Sequence, residues 1–201
     1  MRRRTFVKSG AVASTLLATG LSACTATQVV PEVTAADIPM WKGFNLLKKF
    51  SGQENDPFRG SDFAMMADWG FNFARLPMSY WTWGDVNDRS KIDEATLRDI
   101  DQAIGYGEKH GILVNLNFHR APGYCINRGE LEPYQLFEDE EAQEATCFHW
   151  RTFAERYRGI LNHQLSFGVL DSGRSDVDYE DYRGHRLDRK MLTLLQKHLV
   201  T

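Results

Sequence analysis

The sequence predicts an α/β protein, in the form of a partial (β/α)8 TIM barrel with about four βα units. From Trp41 onward, strand-like and helix-like stretches alternate, which favours βαβ units and a parallel sheet. No Gly-x-Gly-x-x-Gly or Walker pattern follows a predicted strand, so no nucleotide cofactor is expected. The 201 residues also fall short of the roughly 250 that a complete barrel takes.

The predicted strands are short apolar runs: "GFNLL" (43–47), "FNFARLPMSY" (71–80), "ILVNLNF" (112–118) and "LSFGVL" (165–170). The first helix covers "SDFAMMADWG", with Ser61 as its N-cap and Gly70 as its end. The second has Asp93 as N-cap and ends at Gly111. Apolar residues at helical spacing predict the third helix, from Trp150 through Tyr157 to Leu161, and a last segment contains Leu187, Met191, Leu194 and Leu195.

Residues 1–24 resemble a bacterial export signal. A basic stretch with the twin arginine Arg3 and Arg4 precedes an apolar run that is too short to remain in a bilayer as a span. The run ends in "LSAC", which resembles a lipoprotein cleavage box with Cys24 as the lipidated residue. Residues 25–40 then form a linker before a domain at 41–201. We expect twin-arginine export and a lipid-anchored protein in the periplasm or on the cell surface, with secretion after plain cleavage as the alternative.

Charge and cysteine content narrow the choice of partners. The formal net charge is -3, and Lys and Arg do not cluster beyond the first ten residues, so no nucleic-acid partner is expected. The histidines lack ligand-like spacing, and no metal is expected. Cys125 and Cys147 could form a disulfide worth about 3 kcal/mol in an oxidising compartment, and two thiols remain the alternative.

Two predicted strands carry polar residues that suggest a site at the carboxyl end of the barrel. Arg75 lies within the second strand, where its guanidinium needs an anionic or carbonyl partner to offset desolvation. His119 follows the third strand, just before the Pro122–Gly123 turn. Each residue alone is compatible with a structural role, such as a salt bridge for Arg75. The pair together predicts a binding or catalytic site.

The chain resembles the first half of the family-5 glycoside hydrolases, a group of retaining endoglucanases and mannanases with a (β/α)8 barrel. The resemblance runs from Trp41 to Phe167 and rests on a series of segments: "GFNLL", "DFAMMADWGFNFARLPMSY", "IDEATLRDIDQAIGYGEKHGILVNLNFHRAPGYC", "FHWRTFAERYRG" and "LSF". It implies that Arg75 and His119 position the catalytic carboxylates and the reacting sugar of a β-linked polysaccharide such as cellulose or mannan. Three aromatic residues have two open interpretations, sugar stacking or core packing: Tyr80, Trp81 and Trp83.

The same resemblance raises a difficulty for catalysis. Retaining hydrolysis needs a carboxylic acid as proton donor and a carboxylate as nucleophile. In the family the donor is the Glu of an Asn-Glu-Pro turn after strand four, and here Asp171, Ser172 and Gly173 occupy those three positions. We expect a truncated product without an intact catalytic pair, which could self-associate through open sheet edges. The alternative is a non-catalytic, carbohydrate-binding surface lipoprotein. A Ser172–His119–Asp171 triad is not supported, because "VLDSG" lacks the Gly-x-Ser-x-Gly elbow.

Overall fold

The computed structural model describes residues 33–168, apart from 35, 86, 89 and 126–133, together with residue 193. All of these residues belong to the second of two units into which the chain divides, residues 31–201. The predicted export signal with Cys24, the turn with Asp171 and Ser172, and nearly all of the last predicted helical segment therefore lie outside the described residues.

Strands and helices alternate along the described part of the chain, and their bounds are β1 Gly43–Asn45, α1 Gly60–Asp68, β2 Phe73–Ser79, α2 Glu94–His110, β3 Leu113–Ala121, β4 Tyr124–Cys125, α3 Glu140–Arg156 and β5 Leu165–Gly168. A single 3-10 turn, Tyr80–Thr82, follows β2. β1, β2, β3 and β5 are parallel neighbours in that order, while β4 pairs antiparallel with the end of β3. This arrangement confirms the predicted α/β fold, a parallel sheet that forms part of a barrel.

The sheet has one apolar and one polar face because successive side chains of a strand point to opposite sides. Even-numbered residues of β2 and β3 join the hydrophobic core with the helices: Ala74, Leu76, Met78, Val114, Leu116 and Phe118. Phe118 lies at the centre, stacked on Trp150 of α3 at 3.9 Å between ring centroids and edge-on to Phe153 at 5.2 Å. Helix burial therefore fixes the outer face of the sheet and leaves the odd-numbered residues for the inner face.

The helix ends confirm some predicted signals and correct others. The Asp93 side chain caps α2 as predicted, and Gly111 ends it in a left-handed conformation at φ 67°. Gly70, at φ 79°, follows α1 as predicted. Ser61 is not the N-cap, because α1 begins at Gly60 and its N-cap Arg59 makes no side-chain capping bond. The third helix does not reach Leu161, since Gly159 turns the chain at φ 90° after α3 has ended.

The disulfide alternative for Cys125 and Cys147 is not realised in the structure, where Cys147 is a buried thiol. Cys147 lies on the face of α3 that contributes to the hydrophobic core, whereas Cys125 belongs to the short strand β4. Burial raises the pKa of the Cys147 thiol to about 11. Cys147 therefore acts as a small apolar core residue.

No helix in the described ranges is both long and apolar enough to cross a bilayer. At the β1 edge of the sheet several large apolar side chains are exposed, among them Trp41, Phe44 and Trp69. Phe44 packs edge-on against Phe71, at 5.4 Å between ring centroids. These rings form an apolar border along the edge strand, the kind of edge that proteins normally pair or cover.

The capping role of Asp93 gives a test of the fold. Its carboxylate accepts from the backbone N–H of Ala95 at 3.0 Å and from the Thr96 hydroxyl at 2.8 Å. These hydrogen bonds, the Thr96 hydroxyl first, hold the pKa of Asp93 below its usual value. We expect Asp93→Ala to lower the free energy of unfolding by about 1–2 kcal/mol at pH 7, measured by urea denaturation.

The pH dependence follows from the sign of the shift. Stabilisation by a carboxyl group with a lowered folded-state pKa is complete above the unfolded value of about 3.9 and disappears as the pH falls through the folded value. The difference in free energy of unfolding between wild type and Asp93→Ala should therefore decrease as the pH falls into the acid range. Ser61→Ala is the control, with an expected change within about 0.5 kcal/mol. Equal losses for the two variants would contradict the assignment of the cap.

Candidate functional site

Hydrogen bonds between polar side chains join three strands on the inner face of the sheet. The Arg75 guanidinium of β2 donates to Asn117 Oδ1 of β3 at 2.7 Å. Asn117 Nδ2 in turn donates to the backbone carbonyl of Gly168 in β5 at 3.0 Å. Two residues earlier in β3, Asn115 Nδ2 donates to the Ser166 hydroxyl of β5 at 3.0 Å. We call this set the polar ladder: Arg75, Asn115, Asn117, Ser166 and Gly168.

The strand register explains why these residues meet. Arg75 lies opposite Asn115, and Asn115 lies opposite Ser166, so all three side chains share one face. Asn117 lies opposite Gly168, and a Cβ atom at position 168 would come within 3.0 Å of Asn117 Nδ2. Glycine at this position therefore lets the Asn117 amide approach the β5 backbone closely. Asn117 is only 1% exposed, so its two hydrogen bonds offset the cost of burying the amide.

His119 and Arg120 lie at the carboxyl end of β3, where the register shifts. Met78 pairs with Phe118, but Ser79 pairs with Arg120, so β3 carries one extra residue, His119. Such a bulge re-aims the side chains next to it. His119 is 7% exposed, and its ring centroid lies 4.4 Å from that of Phe50 in the loop after β1. The buried Arg120 guanidinium donates to the Phe50 carbonyl and lies over the Phe50 ring, with Cζ 4.9 Å from the ring centroid.

The structure separates the three aromatic residues that follow β2. Tyr80 and Trp83 are 4% and 1% exposed and belong to the hydrophobic core, which corrects their interpretation as a stacking surface. The Trp83 indole lies 5.2 Å from the Phe118 ring and donates to Nδ1 of the buried His149 at 3.3 Å.

Trp81 remains a candidate for contact with a ligand. It is partly buried, and its indole Nε1–H has no hydrogen-bond partner among the described residues. Trp81 borders an open cleft of about 560 Å³ that polar residues also line, including Asp85 and Lys91. Its ring packs against Gly52, where a Cβ atom would lie 2.9 Å from Trp81 Cε3. The indole nitrogen itself is buried, so only the part of the ring that faces the cleft is available, and an apolar ring surface of this kind is suited to the C–H face of a sugar.

The structure describes only some of the other residues that were predicted for the site. Arg75 lies within β2, as the third of its 7 residues, whereas His119 lies near the carboxyl end of the neighbouring strand β3. The Arg75 guanidinium donates to an amide oxygen, that of Asn117. Asp171, Ser172 and Cys24 lie outside the described residues. In the described ranges no group of three or more His, Cys, Asp or Glu side chains could hold a metal ion. The acidic run at 137–144 contains the start of α3, which begins at Glu140.

Several site residues were not found by sequence reasoning. Asn115 and Asn117 alternate with apolar residues in "LVNLNFH", and this period of two could have placed them on the same face as His119. The contact of Phe50 with His119 had no sequence signal, because the two residues come from different βα units.

Comparison with known proteins gives a family for this arrangement. Residues 33–169 match the sequence model of the family described as cellulase (glycosyl hydrolase family 5). This match includes the polar ladder, His119, Phe50 and Trp81, and ends before Asp171 and Ser172.

Curated relatives include cellodextrinase A of Ruminococcus flavefaciens, 32% identical over 123 residues, and endoglucanase C of Acetivibrio thermocellus, 29% identical over 123 residues. Each alignment covers 61% of this chain and 35% of the relative, so the chain spans about a third of the length of these curated proteins.

Among solved structures, a glycoside hydrolase crystal structure has a TM-score of 0.66 and 30% identity, covering 79% of this chain and 49% of that one. The endoglucanase Cel5A of Thermotoga maritima in complex with cellobiose has a TM-score of 0.56 and 21% identity, covering 78% and 47% of the two chains. At that identity the second likeness shows the fold alone.

Asn117 is the test of the polar ladder. Asn117→Ala removes an acceptor of Arg75 and the donor to the Gly168 carbonyl, so we expect the free energy of unfolding to fall by about 2–3 kcal/mol. The matched control is Asn115→Ala on the same face, which removes only the bond to Ser166 and should cost about 1 kcal/mol. Urea denaturation of both variants measures the difference. Equal losses would show that Asn117 does not join the strands as described.

Proposed function

This chain belongs to the cellulase family, glycosyl hydrolase family 5, and from that membership we propose that its sheet holds a β-linked glucan at an O-glycosyl bond to be cleaved. The observation that carries the proposal is the position of Arg75 and His119 on neighbouring parallel strands, with His119 near the carboxyl end of β3, the edge where barrel enzymes bind substrate. The proposed glucan class rests on the names of the relatives, an endoglucanase and a cellodextrinase.

The polar ladder gives each residue a role in this proposal. The hydrogen bond to Asn117 fixes the Arg75 guanidinium on the inner face, and a guanidinium is suited to bind a carboxylate or a sugar hydroxyl. His119 orients the substrate from the carboxyl end of β3, where its ring is held against the Phe50 ring. Trp81 adds an apolar ring at the rim. In this proposal these groups bind and orient a substrate.

Catalytic power depends on the family's two carboxyl groups. The residue at the position of the family's acid/base Glu is Ser172, preceded by Asp171 in place of Asn. A serine hydroxyl cannot protonate a leaving oxygen as a tuned carboxylic acid does, and loss of general acid catalysis costs a factor of about 10²–10⁴ in rate. We therefore propose that the 201-residue polypeptide binds glucan but cleaves it little or not at all.

A second candidate function follows from the same substitution. A protein that keeps Arg75, His119 and Trp81 but has Ser172 at the acid/base position fits a non-catalytic carbohydrate-binding role. The two candidates differ in one measurable quantity, which is the release of reducing ends from a soluble β-glucan by the purified chain.

Export and anchoring form the last part of the proposal. The twin-arginine motif and the "LSAC" sequence support a lipid-anchored protein that faces its polysaccharide outside the cytoplasm. Self-association through the β1 edge remains a prediction, open to sedimentation measurements at several concentrations.

Lipidation at Cys24 is tested by labelling the producing cells with a radioactive fatty acid. Wild-type protein should carry the label and sediment with membranes, because acyl chains partition into the bilayer. Cys24→Ser should lose both properties while remaining exported. Label in the Cys24→Ser variant would contradict the assignment of the anchor.

Glucan binding is tested by titrating the purified chain with cello-oligosaccharides and soluble β-glucan in a calorimeter. Trp81→Ala should weaken binding roughly two- to tenfold, because the loss of ring stacking removes about 0.5–1.5 kcal/mol. The matched control is Trp69→Ala, because Trp69 is 63% exposed but follows α1 at the opposite end of the sheet. Its affinity should equal that of the wild type.

Reducing-end assays on the same samples separate the two candidates. Binding without turnover favours the non-catalytic role, whereas turnover well above the uncatalysed background, with contamination excluded, contradicts the proposed impairment. Absence of binding to cello-oligosaccharides, β-glucan and manno-oligosaccharides would contradict the proposal that the protein has a glycan-binding site.

A further inference from the structure

The loop that joins β1 to α1 contains a lysine whose charge is buried. The Lys49 side chain is 0% exposed, and its ammonium donates to Asn55 Oδ1 at 2.6 Å and to Asp99 Oδ2 of α2 at 3.2 Å. Asn55 extends this hydrogen-bond network: its Nδ2 donates to the Thr82 carbonyl at 3.1 Å and to the Thr96 hydroxyl at 2.9 Å. The side chain of Lys49 thereby ties its own loop to α2 and to the turn after β2.

A buried ammonium is a costly way to stabilise a loop. Desolvation lowers the pKa of Lys49 despite the neighbouring Asp99 carboxylate, so the folded protein disfavours the charge. Apolar residues of similar volume often replace buried ion pairs without loss of stability. The charge network therefore points to a role in fixing geometry rather than in adding stability.

The geometry that Lys49 fixes is that of the next residue. The Lys49 carbonyl accepts from Ser79 N–H at 2.7 Å, and Ser79 is the residue of β2 that pairs with Arg120. Phe50 then contacts both residues at the bulged end of β3, His119 through its ring and Arg120 through its ring and its carbonyl. In a regular strand, side chains 119 and 120 would point to opposite faces. The register shift allows both of them to reach Phe50.

We propose that Phe50 and Lys49 are positioning residues for His119. Phe50 holds the imidazole in one orientation at the carboxyl end of β3, and the buried Lys49 network holds Phe50. The inference deepens the proposed function, on which it rests for the glycan that His119 would meet. Neither positioning residue is required to touch that glycan.

The experiment reads the His119 ring directly in the full 201-residue chain, by aromatic proton–carbon correlation and ring-to-ring nuclear Overhauser spectra without any glycan. The His119 signals are assigned by their absence in His119→Gln. Phe50→Leu should shift these signals, because it removes the ring current, whereas Phe50→Tyr keeps the ring and should preserve them. Lys49→Met should weaken the contact between rings 50 and 119 in a protein with an unchanged far-ultraviolet spectrum.

The matched control is Asp101→Asn on α2, the helix that also contains Asp99. This change weakens the ion pair with Arg156 and does not alter a partner of Lys49. It should leave the His119 signals in place. If Lys49→Met does not fold, Asp99→Asn decides the question, since it removes the negative charge next to Lys49 and retains an amide oxygen as acceptor. Broadened or shifted His119 signals in Asp99→Asn support the inference, and unchanged signals overturn it.

Glycan affinity supplies an independent reading. Phe50→Leu should lower the affinity for cello-oligosaccharides about tenfold and Phe50→Tyr should restore it, which a role in stability alone would not predict. Unchanged His119 signals in both folded Phe50→Leu and folded Lys49→Met overturn the inference even when glycan is bound. Failure of the wild type to bind any glycan overturns the proposed function but leaves the positioning of His119 by Phe50 measurable.

Discussion

Buried polar side chains on the inner face of a parallel sheet must find hydrogen-bond partners, and this constraint organises the described structure. Water does not compensate a buried amide or guanidinium, so each such group needs an acceptor or donor from a neighbouring strand. The Asn117 side chain in β3 accepts a hydrogen bond from Arg75 of β2 and donates one to the backbone of β5, so it links β3 to both neighbouring strands. The same bonds that satisfy the amide hold the guanidinium in place on the inner face.

The opposite face of the sheet is stabilised by apolar packing. There, apolar side chains pack on the helices, and the stack of Phe118 on Trp150 couples the end of β3 to α3. Because Phe118 is held on the helix side, the extra residue that follows it can be re-aimed without disturbing the core. The bulge at His119 thus lies where a rigid outer face meets the loop from β1, and the buried Lys49 network gives that loop a fixed shape.

Membership of glycosyl hydrolase family 5 gives this geometry a context. In the proposed function the described residues bind and orient a glycan, whereas cleavage of a glycosidic bond needs a proton donor and a nucleophile in addition. The two tasks are physically separable, since hydrogen bonds and ring stacking bind a sugar in its ground state while acid and nucleophile act only in the transition state.

The sequence alone determined the alternation of strands and helices, the cap of α2 at Asp93, and the placement of His119 near the carboxyl end of a strand. These features depend on local periodicity and on capping chemistry, which neighbouring residues encode. The cap at Ser61 and the helical Leu161 were wrong, because α1 begins at Gly60 and α3 ends at Arg156, before the turn at Gly159. The roles of Tyr80 and Trp83, the thiol state of Cys147 and the contact of Phe50 with His119 were decided only by the tertiary structure, since each depends on how distant βα units approach each other in space.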